Sequence, residues 1–189
     1  MEQILYINAC VRPQSRTRLL AEKVLEKLEG TVEEISLEQE GISPLTGKTL
    51  RQRDALIGAG DYSAPMFRYA KQFAEADIIV LAAPYWDLSF PASVKAYIEA
   101  VTVLGLTFFY TPEGRPSGLC KAKKFVYVTT AGGFIGEYDF GFQYVKAMVQ
   151  GFFGIGDVTC VRAEGLDIAG MDVDAILEKA KEEIAGMQL

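Results

Sequence analysis

Short apolar segments that alternate with amphipathic helical segments are the feature that most constrains the fold of this chain. Residues 77–83 contain four large apolar residues in succession, from Ile78 to Leu81. A run that is apolar at every position suits a parallel strand that is covered on both faces. Further short runs predict four more strands, at residues 4–9, 32–37, 125–130 and 158–163.

Helical periodicity fills the segments between these strands. Residues 15–28 place leucines and a valine on one helical face, and Gly30 is expected to end that helix. A turn-rich loop is expected at residues 108–119. Other helices are predicted at residues 49–57, 66–76, 91–103, 140–153 and 173–185. Strands that alternate with helices in this way predict an α/β fold, a doubly wound five-stranded parallel sheet with helices on both faces, in a single domain over residues 1–189.

Composition narrows the partners that this chain could have. The net charge is −6, which argues against a nucleic-acid partner, because such a partner requires a basic face. No apolar run reaches transmembrane length and no basic region precedes the first strand, so we expect a cytoplasmic protein without a membrane partner. Three widely spaced cysteines without a CxxC pattern fit a reducing compartment. The absence of histidine excludes His-dependent triads and the commonest metal ligand.

The loop after the first predicted strand is a candidate phosphate site. Ligands of doubly wound sheets bind at the carboxyl ends of the strands, which here are followed by residues 9–17, 84–91, 131–138 and 164–171. The first of these loops carries Ser15, Arg16 and Thr17 at the beginning of a helix, where free amides and the helix dipole attract anions. The chain lacks a GxGxxG motif, so one terminal phosphate fits better than a pyrophosphate. A plain helix cap with a solvated basic turn is the alternative.

Cys10 and Arg16 in the same loop offer a second interpretation. They form a C-x5-R pattern that resembles low-molecular-weight tyrosine phosphatases and related arsenate reductases, in which a thiolate is the nucleophile. Pro13 would remove one amide from such an anion cradle, and no Asp-Pro pair supplies a general acid. A small buried residue at the end of a strand is the simpler interpretation of Cys10.

Two later segments carry a resemblance to a known family. Residues 84–91, PYWDLSFP, follow the third strand, and Thr130, Ala131, Gly132 and Gly133 follow the fourth. Together with the serine and threonine of the first loop, their order and spacing resemble those of the FMN-dependent azoreductases and NAD(P)H:quinone reductases, a family with a flavodoxin-like fold. The resemblance extends over most of the chain.

This resemblance implies an FMN-dependent enzyme that passes two electrons from NADH or NADPH to quinone-like or azo acceptors by a ping-pong mechanism. The chemistry would belong to the cofactor, so no catalytic side chain and no metal is expected. A homodimer is also implied, and aromatic residues in segments 108–110 and 134–144 could form part of its surface. The implied cofactor-binding residues are Ser15, Arg16, Thr17, Pro84, Tyr85, Trp86, Asp87, Leu88, Thr130, Ala131, Gly132 and Gly133.

Two alternatives stay open. Asp87 occupies a position where the family often has asparagine. Its carboxylate either lies near the flavin ring or caps the loop through the amides of Ser89 or Phe90. For the function, a flavodoxin-type electron carrier is the alternative to an enzyme. The modest net charge and the aromatic loops favour an enclosed substrate pocket over an acidic carrier surface.

Overall fold

The computed structural model describes residues 1–189 and contains seven β-strands. They are β1 (Glu2–Asn8), β2 (Gly30–Ser36), β3 (Ile78–Ala82), β4 (Phe108–Tyr110), β5 (Pro116–Gly118), β6 (Lys124–Thr130) and β7 (Asp157–Ala163). Five of them form one sheet in the order β2-β1-β3-β6-β7, and every neighbouring pair in this sheet is parallel. The predicted five-stranded parallel sheet is therefore confirmed.

Seven α-helices connect or follow the strands. They are α1 (Arg16–Leu25), α2 (Leu37–Glu40), α3 (Gly47–Gly58), α4 (Arg68–Glu75), α5 (Ala92–Val101), α6 (Phe140–Gly151) and α7 (Val173–Gly186). Helices α4, α5 and α6 contribute to one apolar core, whereas α1 and α7 contribute to a second. The sheet is thus covered on both faces. None of the helices combines the length and the hydropathy that crossing a bilayer requires.

Strand β3 shows why an uninterrupted apolar run predicts a central strand. Ile79 and Leu81 belong to the core on one face of the sheet, and Ile78 and Val80 belong to the core on the other. All four side chains are buried. Because successive side chains of a strand point to opposite faces, burial on both faces requires an apolar residue at every position. Full burial of each such side chain is worth about 1.5–3 kcal/mol.

Gly30 has a different role from the predicted one. Helix α1 ends at Leu25, and Gly30 is instead the first residue of β2. A Cβ at this position would collide with the backbone oxygen of Glu2 on the neighbouring strand. The glycine is therefore required by the close approach of β1 and β2, and the prediction that it ends the helix is wrong.

The segment predicted as a turn-rich loop contains a small hairpin. Strands β4 and β5 pair in antiparallel fashion, and the turn between them contains Gly114 at φ 77°. At Gly118 a Cβ would collide with the backbone of Phe153, so the hairpin lies directly against the end of α6. Strands of three residues are too short to show a hydrophobic period, so the sequence did not predict them.

The order of the strands determines where a ligand can bind. Strand β1 pairs with β2 on one side and with β3 on the other, so the chain leaves β1 first in one direction and later returns to its opposite side. The connections after β1 and β3 diverge at this point and leave a crevice at the carboxyl edge of the sheet. The loops after β6 and β7 follow along the same edge.

Candidate functional site

A cleft of about 770 Å³ opens at this carboxyl edge and is lined by the loops after β1, β3, β6 and β7. Most of the site residues predicted from the sequence line it: Ser15, Arg16, Thr17, Pro84, Tyr85, Trp86, Thr130, Ala131 and Gly132. Asp87, Leu88 and Gly133 lie beside it but outside the lining. The four loops that were expected to surround a ligand are thus brought together.

The beginning of α1 presents free hydrogen-bond donors at one end of the cleft. Ser15 is the N-cap, and its Oγ accepts a hydrogen bond from the amide of Arg18 at 3.2 Å. The amides of Arg16 and Thr17 belong to the first turn and donate to no acceptor in the chain. The plain cap that was the alternative interpretation is present, and it leaves these two amides and the Ser15 hydroxyl proton available to an anion.

The Thr17 side chain has a different partner from the one expected. It is buried, and its Oγ1 lies 2.6 Å from Oγ1 of Thr130 at the end of β6. The two hydroxyls therefore join the first turn of α1 to the central strand β6. This contact orients the helix terminus and gives the Thr17 hydroxyl a partner within the protein.

Two polar side chains hold the loop after β1, and sequence reasoning missed the first of them, Asn8. Asn8 is buried, and its Oδ1 accepts a hydrogen bond from the amide of Cys10 at 2.9 Å. The Arg18 guanidinium donates to the carbonyl oxygen of Cys10 at 3.0 Å, and its side chain does not line the cleft. Asn8 also donates to Glu34 on β2 at 2.8 Å. In the sequence, the position of this polar residue at the end of an apolar strand was the signal that could have identified Asn8.

Cys10 lacks the properties of a nucleophile. Its side chain is buried, with Sγ 3.9 Å from the carbonyl oxygen of Ala82. Burial raises the pKa of the Cys10 thiol, and the nearby Ser15 and Arg18 only partly oppose this effect. Because a nucleophilic cysteine requires a lowered pKa, the structure contradicts the phosphatase interpretation and supports that of a small core residue.

An ion pair crosses from the loop after β1 to the loop after β7. Nη1 of Arg16 lies 2.8 Å from Oδ1 of Asp167 and also donates to the carbonyl oxygen of Leu166 at 3.2 Å. Both side chains are at least partly exposed, at 40% and 66%. Asp167 lies in a loop that the topology indicated, but nothing in the local sequence singled it out.

The glycines after β6 combine a close approach with free amides. A Cβ on Gly132 would collide with the carboxylate of Asp167, whereas Gly133 faces open space. The carbonyl oxygens of Gly132 and Gly133 accept hydrogen bonds from Asp167 and Gly165, at 2.8 and 3.0 Å. Their amides donate to no acceptor in the chain. These two N–H groups are therefore free to bind a ligand next to Gly132.

The loop after β3 is a tight two-residue hairpin with an aromatic side. Trp86 and Ser89 exchange backbone hydrogen bonds of 3.1 and 2.8 Å. The two residues between them, Asp87 and Leu88, both have positive φ values, 51° and 67°. This conformation is costly for residues other than glycine, and it is the one that the shortest hairpin turns require. Trp86 keeps 39% of its surface exposed and forms a flat wall of the cleft together with Tyr85.

The structure does not support a capping role for Asp87. Its carboxylate makes no hydrogen bond or ion pair, and the amide of Ser89 donates to the carbonyl oxygen of Trp86 instead. The cap that was one of the two alternatives is therefore wrong. The side chain is exposed and does not line the cleft.

A polar network that the sequence did not reveal fixes the loop after β6. Arg162 on β7 contacts Asp139 at 2.8 Å and Glu164 at 3.5 Å. Asp139 in turn accepts from the amide of Phe142 at the beginning of α6, and Glu164 accepts from the amide of Ile135. Three exposed aromatic side chains lie in this loop or directly after it: Phe134, Tyr138 and Phe140.

Comparisons with known proteins agree with the observed fold. Residues 2–187 match a family model described as having a flavodoxin-like fold. The FMN-dependent NADH:quinone oxidoreductase 2 of Clostridium acetobutylicum is 41% identical, over 97% of this chain and 98% of that protein. The corresponding protein of Clostridium beijerinckii is 38% identical, over 95% and 94%. An azoreductase structure from Bacillus anthracis superposes with a TM-score of 0.85 at 30% identity, over 98% and 97% of the two chains.

The raised pKa of Cys10 leads to a prediction about its reactivity. Because burial raises the pKa of the Cys10 thiol, little of it should be ionised at pH 7, so iodoacetamide should label it slowly in the folded protein. The thiolate is the reactive form. The labelling rate should therefore rise about tenfold for each unit by which the pH increases, as long as the pH stays below the pKa of Cys10. Mass spectrometry of peptides from the folded protein and from a urea-unfolded control measures this rate. Fast labelling of folded Cys10 at pH 7 would contradict the assignment as a core residue.

Proposed function

The chain belongs to the flavodoxin-like family of FMN-dependent NADH:quinone oxidoreductases and azoreductases, and we propose that it passes two electrons from NADH or NADPH to small quinone-like or azo acceptors by a ping-pong mechanism, with FMN as its cofactor. One observation carries this proposal beyond family membership. The cleft joins two unlike ends, free helix amides at one and an aromatic wall at the other, and FMN likewise joins a phosphate to a flat ring.

The phosphate end of the cleft fits a single terminal phosphate. The free amides of Arg16 and Thr17 and the hydroxyl of Ser15 supply donors, and the positive end of the α1 dipole lies behind them. Arg12 and Arg16 add positive charge to the lining. Residues Ser15, Arg16 and Thr17 would hold the FMN phosphate through these groups.

The other end of the cleft fits a flavin ring. Tyr85 and Trp86 offer a flat surface, and Pro84 stiffens the loop that carries them. The free amides of Gly132 and Gly133 supply donors for the polar edge of a flavin. The proposed ring-binding residues are Pro84, Tyr85, Trp86, Asp87, Leu88, Thr130, Ala131, Gly132 and Gly133. For those outside the lining, Asp87, Leu88 and Gly133, the proposal concerns the backbone.

The contribution of this chain to the reaction is binding and orientation. FMN, when bound, supplies the hydride-accepting and hydride-donating chemistry, so the cofactor and not the protein carries the electrons. Asp167 is the only acidic residue in the cleft lining, and the chain contains no histidine. The residues of the cleft therefore position the reactants, and no side chain is required as a general acid. Trp86 and Tyr138 are both exposed, and Tyr85 donates a hydrogen bond to the carbonyl oxygen of Tyr138, so these aromatic side chains would contact a flat aromatic acceptor.

Two experiments on purified protein test this function. Heat should release the bound flavin. This flavin should be FMN, because a cleft with one phosphate site and no GxGxxG motif suits a mononucleotide. The loaded protein should oxidise NADH continuously with menadione and without a partner reductase, and flavin-stripped protein should not. Release of FAD, or failure to take up any flavin, would contradict the proposal. Reduction only in the presence of a separate reductase would favour the electron carrier.

A homodimer in the cytoplasm completes the proposal. Phe134, Tyr138 and Phe140 beside the cleft are 55–69% exposed, and Phe109 and Tyr110 on the hairpin are 40–53% exposed. Clusters of exposed aromatic side chains often mark a surface that a partner covers. All three cysteines are free thiols, as suits a reducing compartment. The whole chain would then act as one FMN-binding domain.

The oligomeric state is directly measurable. Analytical ultracentrifugation of the loaded protein should give twice the 20.8 kDa mass of the chain. Replacement of Phe134 by serine should weaken the dimer, whereas Val32→Ser on the edge strand β2, which also removes an exposed apolar side chain, should not. A fully active monomer at micromolar concentration would contradict the dimer.

A further inference from the structure

We infer that Asp167 weakens FMN binding because its carboxylate pairs with the Arg16 guanidinium, which would otherwise attract the cofactor phosphate. This inference rests on the proposed function and concerns the affinity of the same site. The Arg16–Asp167 ion pair would act as a displaceable bridge, in which the phosphate takes the place of the carboxylate as the partner of Arg16.

The position of the pair supports competition. Arg16 is the first residue of α1, and its backbone amide is one of the two free donors at the phosphate end. Its Nη1 is 2.8 Å from the Asp167 carboxylate, and both residues line the cleft. An anion bound at the free amides therefore lies within the field of both side chains. The arginine attracts it and the carboxylate repels it.

The single negative charge of Asp167 is as large in magnitude as the net charge of the cleft lining. Only three charged side chains line the cleft: Arg12, Arg16 and Asp167. Their sum is one positive charge, whereas a phosphate monoester carries about 1.5–2 negative charges at pH 7. Removal of the Asp167 charge would double the net positive charge of the lining. It would also release the Arg16 guanidinium from its carboxylate partner and leave the carbonyl oxygen of Leu166 as its remaining partner.

The loop that carries Asp167 does not depend on the ion pair for its conformation. The amide of Asp167 donates to the carbonyl oxygen of Gly132 at 2.8 Å, and the amide of Leu166 donates to that of Ala131 at 3.2 Å. The missing side chain of Gly132 leaves the space that the Asp167 carboxylate fills. Asp167→Asn retains this shape and these backbone contacts while it removes the charge. The conformation of this loop therefore does not require the carboxylate charge, and that charge repels an anion bound in the cleft.

The experiment compares FMN with riboflavin, which lacks the phosphate. Trp86 is the only tryptophan of the chain and lines the cleft, so quenching of its fluorescence reports flavin binding. Apoprotein of the wild type, Asp167→Asn and Asp167→Ser is titrated with each flavin at low salt and again at about 0.5 M salt. Glu182→Gln, an exposed residue of α7 without an ion pair, is the control for the loss of one negative charge.

The inference predicts a phosphate-specific gain. Both Asp167 variants should bind FMN about three- to tenfold more tightly than the wild type at low salt, and this gain should shrink at high salt. Their affinity for riboflavin should not change, and Glu182→Gln should bind both flavins like the wild type. In an Arg16→Gln background the gain from Asp167→Asn should be smaller, because no guanidinium is left to be released.

Three results would overturn the inference. Unchanged or weaker FMN binding by both Asp167 variants, with unchanged thermal stability, would show that the carboxylate is neutral or that the pair retains the cofactor. An equal gain for riboflavin would remove the phosphate from the explanation. A wild-type protein that binds neither flavin would overturn the proposed function itself, and this inference with it.

Discussion

The pairing of β1 with β2 on one side and β3 on the other is the constraint on which the site depends. At the carboxyl end of β1, Asn8 pairs with Ser36 and with Ala82, so three strands end at the same level. The chain leaves β1 toward one face and leaves β3 toward the other, because the helices after them cover opposite faces. The crevice between the two departing connections cannot be filled by either helix, and it becomes the cleft.

The groups that this cleft offers are mostly backbone groups, and the side chains around them hold the backbone in place. Asn8 and Arg18 fix the peptide groups of Cys10, and the hydroxyls of Thr17 and Thr130 hold α1 against β6. In the same way, Arg162 and its acidic partners fix the loop after β6. Such a site selects a ligand by the positions of its donors, which suits a cofactor that carries its own reactivity.

Much of the fold, and part of the site, could be predicted because the relevant signals are local. The apolar run in β3, the Ser15 cap and the close approach at the glycine pair Gly132–Gly133 each follow from neighbouring residues and a known geometry. The contacts that were missed join distant parts of the chain. Arg16 and Asp167 are 151 positions apart, and Thr17 and Thr130 are 113 apart. No local period encodes such a pair, because its partners meet only when the sheet has formed.

A crystal structure of the purified protein with FMN tests the central claim most directly, namely that one cleft binds the phosphate and the ring at its two unlike ends. The phosphate should lie within about 2.7–3.2 Å of the amide nitrogens of Arg16 and Thr17, with the ring against Trp86 and next to Gly132. A phosphate bound elsewhere on the sheet edge, or a ring that contacts neither Trp86 nor the glycine pair, would contradict the claim.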